Sequence, residues 1–552
     1  MQTRRVNGAS SRAPKKQQFR SLDDRFLTVL KEKTKRWPSR EALRMNILAA
    51  VQVSELVRTM LGPKGMDKIL DHGSTVTFSS DSNTLLSEAG VTNPIGKMLV
   101  ELAKVQHDQI GDGTTSTIVL TGMLLAKAEK LIDVGLHPTT IISGYGIARA
   151  KVLGALLQLA SAIDPSNGAV LRDVARTSMR YPLPQYEDQV VEAVLQVKTN
   201  DVSYLDRDMI KIQPQKGRTV GETELVKGVV LKNDRLSRAT PEKVFDAKIA
   251  LLDFPISPKP LRTDIKVEIK SVESYANLHR QEDSIMESLV EGIKASGATA
   301  VFNQKGFHKE AWRHFASRKI FVAKRVTSKD MELLSKATGG IMTSTVDDLN
   351  SDKLGFAKVV EERKFDSEKV IVVEGCKNPK AATLFVRAAT DQSLEKLQKD
   401  FGRSIGAVSA TVEDPRILPG GGATEIELSR RLRQYSSGMH SRERLAVDAF
   451  ADALEEILFS LMRNSGLKSR DLFLKMRNLH DEGQETLGFD SYSNTLVDTK
   501  QKGILDSYRV RSHMIKLAAD AAISILRIDD VIVASGMTEK EAQEKGYEKA
   551  TH

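Results

Sequence analysis

The period at which apolar residues recur changes twice along this chain, and that change restricts the folds open to it. From about Ser39 to Leu136, segments such as ALRMNILAAVQVSELVRTML and PIGKMLVELAKVQHDQI repeat their apolar residues at three-to-four spacing, as helices with one buried face do. From about 210 to 380, the β-rich runs VKGVVLK, KIALLDF, IKVEIKS, ATAVFNQ, KIFVAKRV and KVIVVEG alternate with the helical stretches EDSIMESLVEGIKASG and SKDMELLSKATGG. That alternation predicts an α/β unit with its own sheet. Helical periodicity returns at 390–412 and dominates 423–533. A helical domain built from both ends of the chain, with a mixed domain inserted into it, accounts for this order. At 552 residues the chain has material for about three domains.

Several function classes are excluded by composition. The apolar runs at 117–126 and 249–256 fall short of the ~20 residues a membrane span needs, so no transmembrane segment is expected. The paired arginines of MQTRRVNGASSRAPKK have no apolar stretch behind them, so an export signal is not expected and the predicted location is cytoplasmic. The single cysteine, Cys376, leaves no internal disulfide and no multi-cysteine zinc site. Net charge is +10, but residues 1–40 hold 12 Lys and Arg against 3 acids, so the rest of the chain is nearly neutral. The basic arm reads as a solvated terminus, with binding to RNA, DNA or an acidic partner as the alternative.

Three glycine-broken turns interrupt the helical parts. LGPKG at 61–65 holds Lys64, GDGTTS at 111–116 opens an apolar helix, and PGGGATE at 419–425 opens a late one. Glycines let backbone N–H groups approach phosphate, a helix start favours anions, and a carboxylate such as Asp112 can hold Mg²⁺. Any one of these turns alone is a weak signal, since a helix capped by Thr or Ser needs no ligand. Gly90 to Lys97 in GVTNPIGKM imitates a phosphate-binding loop, but it has five intervening residues where four are needed and Met98 where a hydroxyl belongs. It reads as a helix entry.

Taken together, RTMLGPKGMDKIL, VQHDQIGDGTTSTIVLTGMLLAKAEKLIDVGLHPTTIISGY, VEGCKNPKAATLFVRAAT, LPGGGATEIELSRRL, ALEEILFSLMRNSGL and ILRIDDVI resemble a group II chaperonin subunit of the archaeal thermosome and eukaryotic cytosolic chaperonin type. The resemblance covers about residues 40–535. It implies a multidomain α+β fold: a basic arm at 1–38, an equatorial nucleotide-binding domain from 39–137 and 419–552, an intermediate domain from 138–221 and 382–418, and an apical domain at 222–381 with a protrusion near 251–290. It also implies a double ring, alone or with paralogous subunits, that encloses unfolded protein clients and uses ATP and Mg²⁺. By the same resemblance Leu61, Gly62, Pro63 and Lys64 line the phosphates, Asp112 is the metal ligand, Gly113, Thr114, Thr115 and Ser116 cradle phosphate oxygens, and Gly421 and Asp506 contact the nucleoside.

The chain departs from the family pattern where hydrolysis is concerned. Asp81 matches one of two aspartates near the attacking water, although Ser82 follows it where the family has glycine. The second carboxylate belongs 17 residues before the first glycine of GGG, and that position is Arg403. Asp400 stands one turn earlier on the same helix, with its Cβ displaced by about 5 Å. After Thr177-Ser178, Pro182 occupies the place of a phosphate-sensing lysine, with Arg180 as the nearby substitute. Ser507 follows Asp506 where the family has proline. Three readings stay open at this point: a ring subunit with weakened hydrolysis, a fully active ATPase, and a nucleic-acid-binding protein that uses the basic arm.

Overall fold

The computed structural model describes residues 35–533, apart from 74–75, 181–183, 199–204, 218–222, 259–271, 366–367, 377–380 and 468. Pro182 and most of the basic arm therefore lie outside the described residues.

The helical domain is assembled from both ends of the chain, as the periodicity predicts. Its first part holds α1 (Ser39–Arg58), α2 (Ser82–Glu88), α3 (Thr114–Asp133) and α4 (Pro138–Leu159), and so runs past the boundary expected at 137, because α4 buries its apolar face in this core. After α5 (Gly168–Ser178), the inserted sheets and α6 (Asp391–Glu413), the chain returns with α7 (Ala423–Ser437), α8 (Glu443–Asn464) and α9 (Tyr508–Leu526). The run TIVLTGMLLAKA is apolar on every side, and a helix of that kind belongs inside. Accordingly α3 is the central helix, in contact with α1, α8 and α9. Ile118, Leu124, Tyr145, Phe450 and Met514 meet in one core. Tyr145 packs edge-on against Phe450 with ring centroids 5.6 Å apart, and its hydroxyl donates to the Leu124 carbonyl at 2.6 Å.

Helix α4 is long and apolar enough, by length and composition alone, to cross a membrane. Its Ile141, Tyr145, Ala148, Val152 and Leu156 recur at three-to-four spacing and are buried in the same core. That face packs against α8 and α9, while Ser143, Lys151 and Leu157 on the opposite face are exposed.

The inserted part carries a seven-stranded mixed sheet. Its strands run in the order Phe321–Ala323, Ala300–Asn303, Lys243–Leu252, Gly355–Phe365, Glu368–Cys376 and Gly228–Leu231, with Met342–Thr343 pairing Lys243–Leu252 off that path. Neighbouring residues of one strand face opposite sides: Ala250 and Leu252 join Val290, Ile293 and Phe315, while Ile249 and Leu251 join Leu333, Leu334 and Ala337. Leu251, Leu252, Ile256, Met286 and Val290 are thus buried in this unit. The segment 259–271, which includes the IKVEIKS run and the middle of the expected protrusion, lies outside the described residues.

Between the helical domain and this sheet stands a smaller unit. Ala382–Ala388 pairs with Ile210–Lys216 and Glu224–Val226, and α5, the helix Pro184–Val197 and α6 pack together over it. A short sheet ties the chain's separate passes together: Arg416–Pro419 pairs with Ser161–Ala162 on one side and Leu505–Ser507 on the other. That pairing sets the glycines after Pro419 beside Asp506.

Candidate nucleotide site

The three glycine turns come together, although the second lies 50 residues after the first and the third about 300 residues further on. Leu61, Gly62, Pro63, Asp81, Asp112, Gly113, Thr114, Thr115, Ser116, Arg403, Gly421 and Asp506 all line one cavity of about 500 Å³, within the roughly 300–1,000 Å³ usual for small-molecule sites. Lys64 does not line it: its ammonium donates to Asn494 Oδ1 at 3.1 Å.

Two helices point their amino-terminal ends into this cavity, and each begins on a glycine in the left-handed region. Gly113 (φ 79°) caps α3 and Gly422 (φ 78°) caps α7. Neither cap uses a side chain, so the first-turn N–H groups remain available to an anion. The loop before α3 is held from behind, where buried Gln106 donates through Nε2 to the Asp112 carbonyl at 2.7 Å. Ser82 and Thr115 share a hydroxyl hydrogen bond of 2.6 Å, which joins the start of α2 to the start of α3.

Helix α6 reaches the site through a backbone contact. A Cβ on Gly406 would stand 2.7 Å from the Ile110 carbonyl oxygen and 2.8 Å from Gly111 Cα, closer than atoms can approach. Only glycine permits α6 to lie so close to the GDG turn, and Arg403, nearly one turn earlier, is thereby delivered into the cavity wall. Its guanidinium donates to Asp400 on the same helix. Burial disfavours its charge, but Asp400, Asp112 and Asp81 outweigh that and hold its pKa above the ordinary value, so the group is a fixed cation. Asp400, the expected reserve carboxylate, is buried and paired with Arg403.

Enclosure in the cavity pushes the Asp112 carboxyl up, against the Gly113 N–H and Arg403, which pull it down. Asp81 caps α2 and accepts from Thr84 N at 2.9 Å. Arg180 also lines the cavity, but its guanidinium is spent on the helical domain: it donates to Asp67 Oδ1 at 3.1 Å and to the Met60 carbonyl at 2.5 Å.

Sequence reasoning missed a second charged cluster. Arg511 donates to Asp506 Oδ2 through Nη2 at 2.5 Å and lies 2.8 Å from Glu425 Oε1. Burial, opposed by Arg511 and reinforced by Asp506, holds the Glu425 carboxyl above its usual range. Glu425 lies inside the quoted PGGGATE turn, three positions past the Gly422 cap, and was legible there. Arg511 sits in YRVRSHM, where nothing local distinguishes it from a surface arginine.

The donor set suits a magnesium-bound polyphosphate. Among the described residues no group of three or more His, Cys, Asp or Glu side chains is arranged to hold a metal. Mg²⁺ takes one or two carboxylates and fills its remaining positions with phosphate oxygens and water, and Asp112 between two helix starts matches that need.

A protein-family model described as the TCP-1/cpn60 chaperonin family matches residues 53–536. The chain belongs to that chaperonin family. It is 41% identical to a thermosome subunit of Methanocaldococcus jannaschii over 95% of this chain and 97% of the relative. It is also 40% identical to the thermosome subunit beta of Methanothermobacter thermautotrophicus, over 94% and 97% of the two chains, and 39% identical to that organism's subunit alpha, over 92% and 94%. Like these relatives it is a group II chaperonin, and the seven-stranded sheet and the two-ended helical domain are its apical and equatorial parts.

Proposed function

We propose that this chaperonin subunit binds Mg·ATP in the cavity described above, joins a double ring that encloses unfolded proteins, and hydrolyses its own nucleotide slowly. The observation that carries the last clause is Arg403. Hydrolysis needs a carboxylate that orients and accepts a proton from the attacking water; a guanidinium accepts no proton near neutral pH. Bound nucleotide supplies the terminal phosphoanhydride and Mg²⁺ the charge neutralisation. The residues of this chain then divide the work: the first-turn N–H groups of α3 and α7 take phosphate oxygens, Asp112 holds the metal, Asp81 orients water, and Arg403 attracts the terminal phosphate. Asp506 and Gly421 take the nucleoside.

Assembly is supported by surface that a monomer leaves open. The hairpin Lys68–Asp71/Val76–Ser79 pairs with no third strand among the described residues, and it exposes Ile69 at 63% and Val76 at 55%. An open strand edge of that kind is a template for pairing with another chain. Alpha and beta thermosome subunits in one organism support paralogous partners for this chain as well. A cytoplasmic location is part of the same reading.

The deciding experiment is steady-state ATP turnover on particles imaged from the same preparation. Rings that bind Mg·ATP but turn it over at least tenfold more slowly than an ordinary thermosome are expected. Rings with ordinary turnover would mean that Asp81 alone sustains hydrolysis, and only monomers, alone and with paralogues, would remove the assembly claim.

A further inference from the structure

One stripe of α6 faces the helical domain with three cations, Lys396, Lys399 and Arg403, and each is engaged. Lys396 pairs with Asp67 at 2.5 Å, and Arg403 enters the cavity. Lys399 does something different. Its ammonium donates to the Thr84 hydroxyl at 2.7 Å, and that hydroxyl in turn lies 3.1 Å from Asp81 Oδ2. A hydroxyl has one proton to give; because an ammonium can only donate, Thr84 Oγ is its acceptor and directs its own proton at Asp81. Oδ2 also receives Thr84 N at 2.9 Å. Two donors on one oxygen fix the plane of the carboxylate, and Oδ1 takes no part in those bonds while Asp81 lines the cavity.

We infer that Lys399 and Thr84 are positioning residues for Asp81, so that this carboxylate is aligned for water only while α6 is docked on the helical domain. The inference rests on the proposed nucleotide site and deepens it. With Arg403 in place of the second carboxylate, Asp81 is the acid left in the cavity wall beside the GDG turn, and its orientation is set from the neighbouring domain. Lys399 does not line the cavity; it acts through Thr84. A simple tie between domains would account for the Lys396–Asp67 pair equally well, but it would not need a hydroxyl that already bonds to Asp81.

The test uses the full chain in its assembled form, with Lys399→Met, Thr84→Val, the double variant, and Lys399→Arg. Turnover is measured beside the affinities for Mg·ADP and for Mg·ADP with aluminium fluoride, which imitates the phosphoryl group in transit. Lys399→Met is expected to lower kcat about tenfold, the smaller end of what positioning a base contributes, and to weaken the fluoride complex by a similar factor. KM and the Mg·ADP affinity should stay within about twofold, because uniform binding is untouched. Thr84→Val should match it, the double variant should lose no more than either alone, and Lys399→Arg should recover most of the loss. If the ADP and fluoride complexes weaken together, Lys399 is only a domain tie; if neither moves, it has no role. If the parent binds no Mg·ADP at all, the nucleotide-site reading fails first and takes this inference with it.

Discussion

Arg403 and Asp400 form an ion pair within α6, both largely withdrawn from water, and Arg403 presents its charge to Asp112 and Asp81 across the cavity wall. Each of the two depends on the other. The guanidinium stands where a proton acceptor is expected, and it also occupies the nearest carboxylate able to replace that acceptor. This has a consequence for any attempt to restore hydrolysis. Arg403→Asp alone puts a second carboxylate one turn from a buried one, and removing one partner of a buried pair is typically destabilising by about 3–5 kcal/mol.

The single variant Arg403→Asp is therefore expected to raise ATP turnover about tenfold or more while lowering the melting temperature. Arg403→Asp combined with Asp400→Ser should keep the gain and recover much of the stability. Paired measurements of kcat and thermal unfolding decide it; a single variant that is slower than the parent would count against the role given to Arg403.

Asp112→Ala is expected to weaken Mg·ATP binding at least tenfold and to leave thermal stability nearly unchanged, because a carboxylate in a cavity-lining turn contributes little to the core. Calorimetric titration with and without Mg²⁺ checks the assignment. Equal affinity in parent and variant would exclude Asp112 as the metal ligand.

Asp67 receives two cations from different elements, Arg180 at 3.1 Å from the end of α5 and Lys396 at 2.5 Å from α6. Asp67→Ala should loosen both elements from the helical domain, and Arg180, whose side chain is 5% exposed, should lose its charge partner there. Hydrogen exchange is expected to rise through the last turn of α5 and the first half of α6, with stability down by about 1–3 kcal/mol. Asp67→Glu should restore part of both.

Glu427 is buried on α7 among Arg430, Arg431 and His480. Burial alone would raise its pKa, but hydrogen bonds from His480, Arg430 and Arg431 outweigh it and pull the carboxyl from 4.5 down to about 2. A folded-state pKa below the unfolded one stabilises the fold above the unfolded value, and that contribution is lost as pH falls. The difference in melting temperature between the parent and Glu427→Gln should be largest above pH 4.5 and shrink between about 4.5 and 2. A difference that grows on acidification would contradict the sign.

The sequence by itself determined the order of helical, mixed and helical regions and the three glycine turns, whereas the expectation of a carboxylate at Arg403 came from the family resemblance. The order and the turns are local signals: helical spacing, period-two alternation and glycine-broken turns. It did not reveal the central strand Gly355–Phe365, because GFAKVVEERKF carries charges on the strand's second half and lacks the apolar continuity of its neighbours. Nor did it show that Lys64 turns to Asn494, that Glu425 and Arg511 form a second charged cluster, or that Asp400 is taken up by Arg403. Those facts depend on which backbones approach one another across the fold. Gly406 on Gly111 and Arg416–Pro419 between two distant strands set that approach, and a side chain's partner is decided there, by long-range packing that no local spacing encodes.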